Sequence, residues 1–379
     1  MKSLFLVILL LLLSGCGGDY PLPAEPTPPA ETAAPLPETT PATEAIDPLD
    51  RLLAAMTTEE KVGQLFLARC PDSGAVKDIE TYHPGGYILF GRDFEGETPD
   101  SLKKILEQYQ AASPIPLLLA VDEEGGTVTR VSSNPAFRET PFPSPRNLYE
   151  RGGMEAVLAA ETEKFRLLQS LGINVNMAPV CDITTEPGAY MYRRSIGLSP
   201  EETGQYVKDV LSLAEKYEIG CVLKHFPGYG NNADTHTGIA VDNRTLEALE
   251  SRDIVPFTIG IVGDCDAILM SHTIVTALDA ENPASLSPAA HAYLRQMQGF
   301  DGVIVTDDLV MAAIAEEYGA GEAAVLAVLA GNDLLCSTEY QIQFPAVLEA
   351  VESGRIPTEM LDNAVLRILR WKQKLGLIF

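Results

Sequence analysis

The sequence predicts an α/β fold in which mostly parallel strands alternate with crossover helices. Of the 379 residues, 46% are hydrophobic and 21% charged, which provides ample material for a large core. From residue 47 onward, short apolar runs alternate with longer helical stretches, as in a parallel sheet wrapped by helices. No GxGxxG or GxxxxGK[ST] motif favours a nucleotide-binding open sheet. A closed barrel is therefore favoured over a doubly wound open sheet, which stays the competing architecture.

The apolar runs predict seven strands, one short of a closed eight-stranded barrel. They are 86–90, 117–122, 173–180, 221–226, 267–271, 303–307 and 333–337. Helices are predicted at 99–112, 154–171, 200–217, 287–298, 319–330, 340–352 and 358–375. A capping box at Thr57–Glu60 opens a further helix carrying Val62, Leu65 and Phe66. The 333 residues from 47 to 379 thus fit a single TIM-like (β/α)8 barrel with one strand missed.

The N-terminus has the pattern of an export signal. Lys2 precedes ten uninterrupted apolar residues, Leu4 to Leu13, about half of the ~20 that a membrane-spanning helix needs. Leu13-Ser14-Gly15-Cys16 resembles a bacterial lipobox, although an ordinary secretory signal is the alternative. We therefore expect a signal peptide at 1–15, a lipid on Cys16, and a disordered Pro/Thr/Glu-rich tether at 16–46. The folded domain would then lie outside the cytoplasm, anchored to the cell membrane.

Charge and cysteine content exclude several classes of function. The net charge is −26 and the basic residues form no stripe, so nucleic acid is not an expected partner. The five cysteines after Cys16 show no CxxC or CxxH spacing, and most lie in apolar runs, which predicts buried free thiols. No H-x-H motif is present. The sequence therefore predicts neither a metal nor another cofactor.

Polar residues follow several predicted strands at the point where each strand ends. Asp122, Lys224-His225, His272 and Asp307 each follow an apolar run. The carboxyl ends of strands in a parallel barrel open onto one face, so we expect these side chains to converge. An Asp at a strand end can also simply cap the next helix, which is the alternative for each residue taken singly. For the whole set, a functional site is the better interpretation, because unpaired buried charges are costly.

A loop carboxylate–imidazole pair adds a proton-transfer group. In Asp234-Thr235-His236 the carboxylate can orient the ring and raise its basicity. Combined with a carboxylate at a strand end, this pair suits a two-step displacement at a sugar carbon. In that scheme Asp307 is the nucleophile and the pair is the acid/base. The charged groups that would hold the sugar hydroxyls are Asp122, Arg130, Arg194, Lys224 and His225.

Several stretches resemble glycoside hydrolase family 3, specifically its single-domain β-N-acetylhexosaminidase branch. The most specific are Lys224-His225-Phe226-Pro227-Gly228 and Asp307-Asp308-Leu309-Val310-Met311, with Asp-x-His between them. The other matching stretches are 85–90, Val121–Gly126 with Arg130, 178–182, 194–197 and Thr306. The resemblance spans roughly residues 50 to 375.

The resemblance implies a retaining exo-β-N-acetylglucosaminidase acting on peptidoglycan fragments or related glycans. It implies that Asp307 forms a glycosyl-enzyme intermediate, that His236 oriented by Asp234 is the acid/base, and that no C-terminal α/β sandwich is present. The loop departs from the family at Tyr229, where a second His is common, and at Asn231-Asn232. A β-glucosidase and an N-acetylglucosaminide phosphorylase are alternatives within the family, and a non-catalytic sugar-binding lipoprotein is the alternative from another class.

Overall fold

The structure, a computed structural model, describes residues 47–231, 240–311, Ile314 and 317–379. Its main sheet contains eight parallel strands in the order β10-β1-β2-β3-β4-β5-β7-β9, and β6 pairs separately with β8. The strands are β1 (Phe66–Arg69), β2 (Gly86–Leu89), β3 (Leu118–Val121), β4 (Val175–Asn176), β5 (Gly220–Phe226), β6 (Val241–Asp242), β7 (Ala267–Met270), β8 (Ile274–Val275), β9 (Val303–Thr306) and β10 (Leu335–Ser337).

The two ends of the main sheet come together. A parallel bridge joins Val305 of β9 to Leu334, the residue before β10, and the Thr306 N–H donates to the Leu334 carbonyl at 3.0 Å. The eight strands therefore form a nearly closed TIM-like barrel, as the sequence predicts. The competing open doubly wound sheet is wrong, because such a sheet keeps two unpaired edges.

Helices cover the barrel and fill most connections between strands. They are α1 (Pro48–Ala55), α2 (Thr58–Gln64), α3 (Ala75–Tyr82), α4 (Pro99–Ala112), α5 (Pro145–Leu171), α6 (Pro200–Glu215), α7 (Leu246–Glu250), α8 (Val255–Val262), α9 (Pro288–Ala292), α10 (Ala320–Ala330), α11 (Tyr340–Glu352) and α12 (Thr358–Lys374). The predicted helices 99–112 and 340–352 match α4 and α11 residue for residue. The backbone of α5 is not helical at Gly152 and Gly153, so the predicted helix 154–171 is its second part.

The strand of the eight-stranded sheet that the sequence analysis missed is β1; the short pair β6 and β8 outside that sheet was not predicted either. The capping box is present, with the Glu60 N–H donating to Thr57 Oγ1 at 3.2 Å, but α2 ends at Gln64. Leu65 and Phe66 were predicted to continue that helix, whereas Phe66 begins β1. Only one residue separates the two elements. A short strand that is buried on both faces shows no apolar–polar alternation, so its apolar residues are read as the end of the helix.

Most of the buried side chains are apolar, and the cysteines are among them. Cys70, Cys181, Cys221, Cys265 and Cys336 are all buried free thiols, which confirms the prediction for these residues. Burial raises the pKa of the Cys70 thiol to about 12, so it stays protonated and unreactive at neutral pH. Among the described residues, no helix is both long and apolar enough to cross a membrane.

Candidate active site

A cavity of about 330 Å³ opens at the carboxyl ends of the strands. This is the face on which barrels of this kind carry their active sites. The residues around it that bear polar or aromatic groups come from many elements of the ring. They are Arg69, Phe90, Asp122, Arg130, Tyr190, Arg194, Lys224, His225, Tyr229, Asp307, Asp308 and Thr338. The six predicted site residues that the structure describes, Asp122, Arg130, Arg194, Lys224, His225 and Asp307, thus surround one space.

Asp307 follows β9 directly and is half-buried at the cavity wall. Its backbone N–H donates to the Met270 carbonyl at 3.3 Å, and its Oδ1 accepts from the Asp308 N–H at 2.9 Å. Burial by itself would raise the pKa of this carboxyl. Its electrostatic interactions with His272 and His225, together with the hydrogen bond from the Asp308 N–H, outweigh burial and lower the pKa. Asp307 is therefore an anion at neutral pH, as a nucleophile must be.

Asp308, the next residue, has a different environment. Its carboxylate accepts from the Thr338 hydroxyl at 2.5 Å, from the Thr338 N–H at 3.1 Å and from the Val310 N–H at 3.2 Å. These bonds tie the turn after β9 to the residue that follows β10. Burial raises the pKa of Asp308, in contrast to the lowered pKa of Asp307. The surroundings therefore distinguish the two adjacent acids: the carboxylate of Asp308 is engaged in hydrogen bonds to the protein's own Thr338 and Val310.

His272, two residues after the end of β7, supports the same turn. It is fully buried, its Nε2 lies 3.0 Å from the Asp308 carbonyl oxygen, and its Nδ1 lies 2.7 Å from Ser285 Oγ. Because a carbonyl can only accept, we assign the proton to Nε2 and let the Ser285 hydroxyl donate to Nδ1. The sequence analysis placed His272 at a strand end without a role. In the structure it holds the backbone that presents Asp307.

Four charged side chains form a largely buried network, and three of them, Asp122, Arg194 and Lys224, line the same cavity. Lys224 Nζ lies 2.6 Å from Asp122 Oδ1 and 2.7 Å from Glu124 Oε1. Arg194 binds both oxygens of Glu124, at 2.7 and 2.9 Å. Burial would raise the pKa of Glu124, but the charges of Arg194 and Lys224 hold it far below its usual range. Glu124 was not among the predicted site residues, although it lies in the Asp122–Gly126 motif.

Lys224 and His225 are consecutive in β5, yet both line the cavity. The register of β5 against β7 shifts between Leu223 and Phe226. Such an irregularity allows neighbouring side chains to depart from strict strand alternation. The sequence pattern of one strand does not reveal this shift.

The imidazole of His225 is held on both sides. Its Nδ1 lies 2.8 Å from Asp182 Oδ2 and its Nε2 lies 3.2 Å from an Arg194 nitrogen. Since an arginine only donates, Nε2 accepts and Nδ1 carries the proton. Asp182 also accepts from the Tyr229 N–H at 2.7 Å. Asp182 is fully buried and was not predicted as a site residue, because its partners are distant in the sequence.

The remaining predicted residues fall in two groups. Arg130 lies in the loop after β3. Its backbone N–H donates to Glu123 Oε2 at 2.9 Å, and its guanidinium carbon lies 5.6 Å from the centre of the Phe90 ring. Asp234 and His236 lie outside the described residues, as does Cys16. The structure therefore describes the nucleophile candidate and the sugar-contact candidates, but not the predicted acid/base pair.

Tyr229, where the family commonly has histidine, belongs to the cavity wall. It is buried, and its ring packs edge-on against His225 with centroids 5.2 Å apart. Asn231 then donates to Glu186 at 2.6 Å and accepts from the Thr184 hydroxyl at 3.0 Å. The tyrosine that stands at this position therefore packs directly against His225. Within the part of the chain that the structure describes, no group of three His, Cys, Asp or Glu side chains could hold a metal ion.

Residues 57–371 match the glycosyl hydrolase family 3 N-terminal domain. The chain belongs to glycosyl hydrolase family 3. It is 32% identical to the β-hexosaminidase LpqI of Mycobacterium tuberculosis over 333 residues, which cover 84% of each chain. It is also 32% identical to a β-hexosaminidase of Methylococcus capsulatus, over 72% of this chain and 81% of that protein.

Solved structures show the same fold. A family 3 β-N-acetylglucosaminidase from Paenibacillus superposes with a TM-score of 0.79 at 35% identity, over 85% of this chain. This chain spans 63% of that longer protein. The structure of M. tuberculosis LpqI gives a TM-score of 0.77 at 30% identity, over 86% of this chain and 96% of that one. The family match and the superpositions thus establish both the barrel fold and the membership of the chain in this glycoside hydrolase family.

Proposed function

We propose that this chain is an exo-acting, retaining β-N-acetylglucosaminidase that removes N-acetylglucosamine from the nonreducing end of a glycan. The observation that carries the proposal is Asp307, an ionised carboxylate on the wall of a cavity that a network of charged hydrogen-bonding groups also lines. Relatives that cover most of this chain carry the names β-hexosaminidase and β-N-acetylglucosaminidase, which supports the choice of sugar.

The reaction proceeds in two displacements. In the first, Asp307 attacks the anomeric carbon, the bond to the leaving oxygen breaks, and that oxygen takes a proton from His236. In the second, water gives a proton to His236 and its oxygen displaces Asp307, so the anomeric configuration is retained. Asp234 orients the imidazole. The roles of Asp234 and His236 come from the sequence and from the family resemblance.

The buried network recognises the terminal sugar. Asp122 retains 18% side-chain exposure, whereas its partner Lys224 retains 3%, so Asp122 can accept hydrogen bonds from hydroxyls while its charge stays compensated. A site of paired polar groups rejects sugars that lack the matching hydroxyl, because its own groups would then stay unsatisfied. A cavity of about 330 Å³ lies near the lower end of the range for ligand pockets, about 300–1,000 Å³, which suits one sugar residue.

The biological setting in this proposal rests on the sequence. A lipid on Cys16 and the tether at 16–46 would hold the catalytic domain at the outer surface of the cell membrane, where peptidoglycan fragments are available. Replacing Cys16 with Ser should release the enzyme from the membrane fraction and abolish labelling with a radioactive fatty acid. Labelling that persists in C16S would contradict this part of the proposal.

Azide rescue tests the assignment of the nucleophile. We expect Asp307→Ala to lose at least ~10³-fold in turnover of an aryl N-acetyl-β-glucosaminide. Azide should restore release of the aryl group and give the α-glycosyl azide, because the small anion enters the space left by the carboxylate on the face opposite the leaving group. Asp308→Ala is the matched control, since it removes the neighbouring carboxylate: azide should give no α-azide there.

Two results would overturn the proposal. Products of inverted configuration from the wild-type protein would exclude the double displacement. Measurable binding of N-acetylglucosamine without any release of the aryl group, in the wild-type protein and across pH, would instead support the alternative of a non-catalytic sugar-binding lipoprotein.

A further inference from the structure

Glu123 is a fully buried acid that lies between two residues of the charged network at the cavity. Its neighbours Asp122 and Glu124 both contact Lys224, at 2.6 and 2.7 Å. Glu123 itself does not line the cavity, and no ion pair joins it to another residue of the described part of the chain. A buried carboxylate without a cation is costly unless other donors satisfy its oxygens. The donors that Glu123 has therefore indicate its role.

These donors come from one short turn of the chain. Glu123 Oε2 accepts from the backbone N–H groups of Arg130, Val131 and Ser132, at 2.9, 2.7 and 3.4 Å. Its Oε1 accepts from the Ser132 hydroxyl. Three consecutive N–H groups reach one oxygen only where the backbone curves around it, as it does at sites that bind anions. The carboxylate of Glu123 therefore fixes the curvature of the chain at 130–132.

The backbone of Glu123 is held by the barrel. Its N–H donates to Asn176 Oδ1 at 3.0 Å, and its carbonyl accepts from Asn176 Nδ2 at 3.3 Å. Asn176 is the last residue of β4. Ser132 Oγ extends the connection, since it accepts from the Phe142 N–H at 3.1 Å. Glu123 thus joins the barrel, through its main chain, to the 130–132 turn, through its side chain.

The loop that this contact closes carries two residues of the cavity wall, Val128 and Arg130. Val128 lies in a turn in which its carbonyl accepts from the Gly125 N–H at 3.0 Å. The Arg130 guanidinium carbon lies 5.6 Å from the centre of the Phe90 ring, and the Arg130 N–H is bound to Glu123. The acid therefore holds the backbone from which this long side chain starts. A displacement of about 1 Å in a group that contacts substrate can cost about 100-fold in rate.

We infer that Glu123 is a positioning residue for sugar binding: its carboxylate shapes the 130–132 turn and thereby places the Arg130 guanidinium at the cavity. The inference rests on the proposed function, in which Arg130 is one of the candidate sugar contacts. Glu123 acts through the geometry of its oxygens, because its partners are neutral backbone and hydroxyl donors. This role differs from those of Asp122 and Glu124, which hold cations.

Three substitutions at Glu123 separate geometry from charge, with the inhibition constant of N-acetylglucosamine as the measured quantity. Glu123→Asp keeps the charge but withdraws the carboxylate by one methylene, about 1.5 Å, and should raise the constant by about 3- to 10-fold. Glu123→Gln keeps an oxygen at the place of Oε2 while its amide donates to the Ser132 hydroxyl, and should change the constant by less than about 2-fold. Glu123→Met removes both acceptors and should raise the constant by at least ~10-fold.

A double-mutant cycle tests whether Glu123 acts through Arg130. In the Arg130→Met background, Glu123→Asp and Glu123→Met should each change the inhibition constant by less than about 2-fold, because the guanidinium that they displace is absent. A purely structural role would instead weaken binding by the same factor in both backgrounds. The kcat/KM for an aryl N-acetyl-β-glucosaminide, measured on the same proteins, should show the same coupling.

Asn174→Leu is the matched control, at the opposite end of the barrel. Asn174 precedes β4, and like Glu123 it satisfies backbone groups from its side chain: its Oδ1 accepts from the Leu119 N–H at 2.8 Å, and its Nδ2 donates to the Leu117 carbonyl at 3.1 Å. It does not line the cavity. The control should lower the melting temperature and leave the inhibition constant unchanged. If Glu123→Met does not fold, Glu123→Asp carries the cycle.

Three outcomes would overturn the inference and leave the proposed function intact. Unchanged inhibition constants in Glu123→Asp and Glu123→Met would show that the acid does not affect sugar binding. Weaker binding in Glu123→Gln than in Glu123→Asp would show that it acts through its charge. Equal effects in the wild-type and Arg130→Met backgrounds would show that it does not act through Arg130. A wild-type protein that neither binds N-acetylglucosamine nor releases the aryl group would instead refute the proposed function.

Discussion

Lys372 is a buried lysine whose positive charge destabilises the folded state. It lies in α12, is fully buried, and donates to Gln64 Oε1 at 2.7 Å, with no carboxylate partner among the residues that the structure describes. Burial lowers the pKa of its ammonium group from 10.5 to about 7. We predict that Lys372→Met changes how the free energy of unfolding depends on pH.

The sign and size follow from proton linkage. Below about pH 7 both the folded and the unfolded chain hold the proton, so the folded state bears the full cost of the buried charge. Between about pH 7 and 10.5 only the unfolded chain holds it, so this group makes the free energy of unfolding rise with pH by up to about 1.4 kcal/mol per pH unit. The whole effect is at most about 5 kcal/mol.

Equilibrium urea unfolding between pH 6 and 10 measures this effect. The circular dichroism signal reports the fold, and Trp371, the single tryptophan, reports the neighbourhood of Lys372. The advantage of K372M over wild type should be largest near pH 6 and shrink as pH rises. Met leaves Gln64 Oε1 without its donor, which costs about 1–3 kcal/mol at every pH, so the slope is the diagnostic quantity and the offset is not.

Lys103→Met is the control, because Lys103 is exposed on α4 and its replacement should shift stability equally at all pH values. A difference between K372M and wild type that stays flat from pH 7 to 10 would refute the reasoning. It would mean that Lys372 keeps its proton in the folded protein.

Three further predictions concern the active site. Glu124→Gln should lower the free energy of unfolding by about 3–5 kcal/mol and kcat/KM by at least ~10-fold, because it leaves Lys224 and Arg194 without a shared anion. Urea unfolding and steady-state kinetics measure these two effects, and unchanged stability would contradict the prediction. Because its pKa is lowered from the ordinary 3.8, Asp307 should stay ionised through mildly acidic pH, so this carboxylate should give the pH profile of kcat/KM no acid limb above about pH 4. An acid limb near pH 6 that persists in His236→Ala, measured with an activated aryl glycoside, would contradict this. His236→Ala should slow substrates with poor leaving groups far more than activated aryl glycosides, since protonation matters most when the departing oxygen is basic, and equal losses on both kinds would argue against its role as acid/base.

The sequence by itself determines the features that depend only on neighbouring residues, namely the secondary-structure elements and the polar residues at their ends. The alternation of apolar runs and amphipathic stretches predicts the α/β class, and the helices at 99–112 and 340–352 are predicted to the residue. The polar residues after the apolar runs point to Asp122, Lys224, His225 and Asp307, because in a parallel barrel every strand end opens onto the same face. These residues need no knowledge of their partners to be noticed.

Tertiary structure decides which groups are paired and which are left free. Glu124 and Arg194 are 70 residues apart, and Asp182 and His225 are 43 apart, so neither pairing is visible in a local pattern. Asp307 and Asp308 are adjacent and chemically identical, yet only the fold commits Asp308 to Thr338 and leaves Asp307 beside two imidazoles.

Arg69 escapes the sequence analysis for the same reason. It ends β1, the one strand whose apolar residues merge with the preceding helix, and its relation to Phe90 and Arg130 exists only once the strands are side by side. Burial and neighbouring charge set the pKa of an ionisable group and the cost of leaving it unpaired, and both quantities depend on contacts between distant parts of the chain. Sequence periodicity therefore predicts which element of secondary structure holds a side chain, while the closed barrel determines which charged and hydrogen-bonding groups surround that side chain.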